Sequence, residues 1–95
     1  MGLFSSLRTY QGKWNVVSNK RVSSEDIDAV ESAEVVASQY GKSACLHMKD
    51  GGMKFLPIST EGRQPRVGES IDLEKCNIVQ LHRDGDEDIY RLELD

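Results

Sequence analysis

From Ala33 onward, apolar and polar residues alternate with a period of two, the mark of strands with one face on a core. Ser43–Lys49 is the plainest case: Ala44, Leu46 and Met48 share one face, and Ser43, Cys45, His47 and Lys49 share the other. The preceding run, Ala33–Gln39, reads as a strand that ends at Tyr40-Gly41. Asp50-Gly51-Gly52 provides the residues a tight hairpin turn needs, so Met53–Ser59 runs back beside Ser43–Lys49. Pro57 places that return strand at a sheet edge or next to a bulge, because proline has no N–H for an inner ladder. Thr60–Glu69, with Pro65 and Gly68, is a polar loop. Cys76–Arg83 and Asp88–Leu94 form a second hairpin around Asp84-Gly85-Asp86-Glu87, and Ile71 and Leu73 make a short strand or turn leading into it.

The first third reads differently. Ser23-Ser24-Glu25-Asp26-Ile27-Asp28-Ala29-Val30 carries a helix start, with a serine cap and acids in the first turn. Ile27 and Val30 would dock one side of that helix on the core. Lys13–Ser18 is a candidate short strand, with Trp14 and Val16 on one face. Leu3, Phe4 and Leu7 are spaced as a short amphipathic opening, and Met1-Gly2 with Ser6 also fits a myristoylation pattern. The expected architecture is mainly β: a small five- to six-stranded antiparallel barrel, OB-like with an SH3-like barrel as rival, preceded by a short helix. Residues 1–95 are expected to form one domain, with a helical and strand segment over 1–31 and the barrel over 32–95.

Composition narrows the classes. The chain has 95 residues, of which 38% are apolar and 29% charged, which suits one small soluble domain. Two cysteines cannot make a disulfide scaffold, and no apolar run approaches the ~20 residues that span a bilayer. The opening residues lack the basic and apolar regions of a secretory signal, so a cytoplasmic protein with no membrane partner is the expectation. The net charge of −4 is unevenly placed: residues 35–67 carry a net +3, residues 25–34 a net −5, and residues 68–95 a net −6.

Three constellations are candidates for chemistry. Cys45, His47, Cys76 and His82 are all the Cys and His of the chain and could hold zinc if their strands were neighbours, but the spacing matches no common zinc pattern. Asp84, Asp86 and Asp88 occupy the first, third and fifth places of a calcium loop, but Ile89 stands where its glycine belongs. An acidic hairpin tip is the simpler reading. No nucleophile–base motif or phosphate-binding glycine loop is present, so neither an enzyme nor a cofactor is expected. The basic middle is the most informative: Tyr40, Lys42, His47, Lys49, Lys54 and Phe55 fall on or beside the central hairpin, with Arg63 and Arg66 in the next loop. Cations interleaved with aromatics are how single-stranded nucleic acid is held. The alternative is that Phe55 is core, Tyr40 a turn residue, and the lysines edge-solubilising charges.

The stretch from Ser32 through Tyr40-Gly41-Lys42-Ser43 and the Asp50-Gly51-Gly52 hairpin to Ser59 looks like the first three strands of an OB-type barrel. Gly68-Glu69-Ser70-Ile71-Asp72-Leu73 and the final hairpin would complete it. Over residues 33–94 the pattern resembles small OB-like proteins of phages and other mobile elements, although a helix precedes the barrel and none separates the third and fourth strands. The resemblance implies a ligand face on the second and third strands, here Tyr40, Lys42, His47, Lys49, Lys54 and Phe55, and a single-stranded DNA or RNA partner. A protein-interaction module, such as a phage-type adaptor, inhibitor or virion component, is the alternative, acting through strand edges or the acidic C-terminal hairpin.

Overall fold

The computed structural model describes residues 14–39, 41–82 and 89–95. Six strands, β1 (Asn15–Arg21), β2 (Val30–Ser38), β3 (Gly41–Met48), β4 (Met53–Pro57), β5 (Cys76–His82) and β6 (Ile89–Leu94), make two three-stranded antiparallel sheets. One sheet has the order β1-β5-β6 and the other β2-β3-β4. The helix α1 (Ser24–Asp28) stands between β1 and β2, and a 3₁₀ turn over Leu73–Lys75 leads into β5.

Strand pairing sets most boundaries. β3 follows its two-residue period: Ala44 and Leu46 are fully buried and Met48 is buried beside them, against Val35 and Ala33 of β2 and Leu56 of β4. Gly51 has φ +92°, so the turn after β3 uses a conformation that a side chain would strain. Asp50 Oδ1 accepts from Gly52 N at 2.8 Å and closes the loop. Pro57 is the last residue of β4, an edge strand, where its missing N–H costs no inner ladder bond.

The helix is shorter than its pattern suggests. Ser23 caps it, its Oγ accepting from Asp26 N at 3.1 Å, but it ends at Asp28 because Val30 already pairs with Met48 as the first residue of β2. Ile27 and Val30 still pack against the core. β1 runs on to Arg21 although Asn19, Lys20 and Arg21 are polar, because its register with β5 carries it: Asn19 lies opposite Val79 and Arg21 opposite Asn77.

The two sheets meet at a seam on one side. Ile58, just past β4, forms a parallel bridge with Leu92 of β6, and Ser59 N donates to Leu92 O at 2.8 Å. No closed barrel forms among the described residues. The physical reason lies in β1, which occupies the edge of β5 that a closing β2 would need. The opposite edge of β2 is covered instead by the loop before β5, through Val35 N to Glu69 O, Gly68 N to Val35 O and Ile71 N to Ala33 O. Leu46, Leu56, Ile78 and Leu92 fill the space between the sheets.

Leu92 is fully buried at the seam, whereas Phe55 is half-exposed. Urea unfolding should therefore show Leu92→Ala losing about 2–5 kcal/mol, with Phe55→Ala within about 0.5 kcal/mol of the parent. Comparable losses for both would contradict this assignment of core and surface.

Candidate functional site

The inward commitment of Ala44, Leu46 and Met48 leaves Ser43, Cys45 and His47 on the outer face of β3. The register then sets their neighbours. Cys45 lies opposite Glu34 of β2 on one side and Phe55 of β4 on the other, and His47 lies opposite Met53. The outer face of this sheet thus gathers Glu34, Cys45, His47, Met53 and Phe55. Met53 and Phe55 are exposed by 57% and 51%, which makes an apolar strip on an edge strand. Cys45 is buried beneath these neighbours.

The polar groups of this face touch one another. His47 Nε2 lies 3.2 Å from Glu34 Oε1 and 3.8 Å from Cys45 Sγ, and Cys45 Sγ lies 3.8 Å from Met53 Sδ. Burial pushes the Cys45 thiol upward, and the negative charge of Glu34 adds to the effect.

The expected nucleic-acid residues do not gather on this face. His47 and Phe55 lie on it; Lys42 and Lys54 have the opposite parity, in step with Ala44, Leu46 and Leu56. Lys42 Nζ donates to the Pro65 carbonyl and ties the start of β3 to the following loop. Lys49 is exposed in the β3–β4 turn, where its backbone N donates to Ala29 O at 3.0 Å. Arg63 pairs with Glu69 at 2.7 Å and its Nε donates to Asp95 O at 3.1 Å. The Arg63–Glu69 contact, together with Arg66's backbone N–H, holds the Glu69 carboxyl below its usual range. Arg66 is exposed in the same loop, and Tyr40 lies outside the described residues.

The four-residue Cys/His candidate separates likewise. Cys45 and His47 meet, but Cys76 and His82 belong to β5 of the other sheet. Cys76 is a core residue whose thiol donates to Asp72 O at 3.3 Å. The acidic run Asp84–Asp88 lies outside the described residues.

Pattern reading missed Glu34 and Met53. Both could be found from turn geometry: closing Ser38 on Gly41 sets Glu34 opposite Cys45, and the Asp50-Gly51-Gly52 turn sets Met53 opposite His47. Also missed was a groove of about 490 Å³ on the other sheet, lined by Trp14, Val16, Val79, Leu81 and Arg91 among others. There the Arg91 guanidinium lies 4.9 Å from the Trp14 ring centroid, a cation–π distance. No protein-family model matches the chain, and neither a curated protein nor a solved structure matches it. No helix among the described residues is long and apolar enough to cross a membrane.

Burial moves the Cys76 thiol from 9.0 to about 11. Because the folded value is raised, this group favours the native state below its unfolded value, and the benefit is lost as pH rises through the folded value. Unfolding free energy measured at stepped pH should fall between about pH 9 and pH 11. In Cys76→Ala that decline should be shallower. An identical slope in the variant would contradict the assignment.

Proposed function

We propose that this is a non-catalytic protein-interaction domain that takes an extended segment of a partner as an added strand along β4. The observation that carries the reading is the exposed Met53–Phe55 strip on an edge strand: among the described residues, no strand pairs with the side of Met53–Leu56 that faces away from β3. An unpaired strand edge offers backbone donors and acceptors in register, and alternate side chains give selectivity. Such edges are commonly blunted by charge or covered, and here only Lys54 interrupts the apolar pair. The net charge of −4 favours a partner with basic character, which speeds encounter.

Panning a random peptide library on the whole protein tests this. Selected peptides should be extended and alternately apolar, and Met53→Lys/Phe55→Glu should weaken them about tenfold or more, equivalent to ~1.4 kcal/mol. Equal binding to parent and variant would overturn the reading.

A second reading, single-stranded nucleic-acid binding on an OB-like barrel, is favoured by a different observation. The path β2-β3-β4, then a parallel bridge to β6, then β5, is the strand path an OB-like barrel follows, and Phe55 and His47 lie on the outer face of β3 and β4. β1 departs from that plan by capping β5. A labelled single-stranded oligonucleotide titrated at two salt concentrations separates the readings. Binding that weakens steeply with salt and is lost in Phe55→Ala supports this one; no binding at low salt removes it.

A further inference from the structure

We infer that Glu34, Cys45 and His47 form a surface binding site for a zinc-class divalent cation. The inference does not rest on either reading above, because it needs no partner and no free strand edge. Thiolate, imidazole and carboxylate are the three donor types zinc takes from proteins, and each occurs once here. Their donor atoms all lie within 4.8 Å of one another.

The spacing is close to what an ion would impose. With bonds of ~2.3 Å to sulfur and ~2.0–2.1 Å to nitrogen or oxygen, tetrahedral coordination separates nitrogen from oxygen by ~3.3–3.4 Å and sulfur from either by ~3.5–3.6 Å, so each observed contact needs a shift of only a few tenths of an ångström. The observed separations are 3.2 Å for His47 Nε2 to Glu34 Oε1 and 3.8 Å for Cys45 Sγ to His47 Nε2. Glu34 is exposed and can close the remaining edge by rotating its side chain. An isolated Glu–His contact explains the first distance but not the thiol aimed at the same imidazole nitrogen.

The backbone also favours a site. Cys45 and His47 stand two apart on one strand, and Glu34 is the cross-strand partner of Cys45, so all three are held by one ladder. A fourth position remains for water or for Met53, whose Sδ lies 3.8 Å from Cys45 Sγ. On binding, Cys45 Sγ bonds to the ion and its proton passes to solvent.

The test is a Co²⁺ titration of the whole protein, with Zn²⁺ as competitor and circular dichroism as the check on folding. The expected result is one ion per chain, a thiolate-to-cobalt charge-transfer band that Zn²⁺ abolishes, and loss of the band in Cys45→Ser but not in Cys76→Ala. His47→Gln and Glu34→Gln change exposed polar side chains and should leave the fold intact. Each should weaken Zn²⁺ by more than about tenfold, since even outer-shell partners of a metal ligand are worth about 10–100-fold. A folded protein that gives no band at saturating Co²⁺, a band that survives Cys45→Ser, or binding of Cu⁺ without Zn²⁺ would overturn the assignment.

Discussion

Strand β3 is committed on its inner face by Ala44 and Leu46, both without solvent exposure, and by Met48 at its end. Its side chains alternate with a period of two, so this burial fixes where Cys45 and His47 point. A slip of one residue would bring His47 into the core and expose Leu46, exchanging a buried aliphatic for a polar ring. The two flanking turns carry the constraint outward. They set Glu34 and Phe55 on either side of Cys45 and Met53 beside His47. The chemistry of the outer face is thus a consequence of core packing one layer below.

The seam between the sheets has a complementary role. Ile58 and Leu92 join β4 to β6 at one corner, and the β4 edge before that corner, Met53 to Leu56, is left without a partner strand among the described residues. β1 occupies the far edge of β5 and keeps the sheets from closing there. The positive charge of the middle segment is meanwhile distributed over several surfaces. Lys42 satisfies the Pro65 carbonyl, and Arg63 satisfies Glu69 and the C-terminal carbonyl of Asp95. A residue tied into a loop in this way holds structure, and releasing it to a phosphate would cost those contacts.

The β3–β4 hairpin was legible in the order of residues because two strong local signals agree there: strict alternation and an Asp-Gly-Gly turn whose Gly51 has positive φ. The strands of the second hairpin were legible for the same reason. β1 was legible only in part, since Asn19, Lys20 and Arg21 have no apolar alternation and are strand by virtue of pairing with β5, some sixty residues away. The length of α1 was hidden likewise, because Val30 fits a helical face and is claimed by Met48. Gathering of the lysines and arginines on one face did not follow from their nearness in sequence. Lys42 and Lys54 differ in parity from His47 and Phe55, and the Pro65 carbonyl and Glu69 carboxylate that bind Lys42 and Arg63 lie in a loop whose path no short-range pattern specifies. The Glu34–Cys45–His47 cluster sits between these cases: each residue is ordinary alone, and register arithmetic brings the three together.

Availability of the β4 edge is the claim on which the functional reading turns. Native-state amide hydrogen exchange, read residue by residue along Met53–Leu56, tests it most directly. Amides pointing toward β3 should be protected, and the alternate amides pointing away should exchange at close to the rate of solvent-exposed backbone. Uniform protection along the whole strand would mean that another segment already pairs with this edge, and would contradict the account.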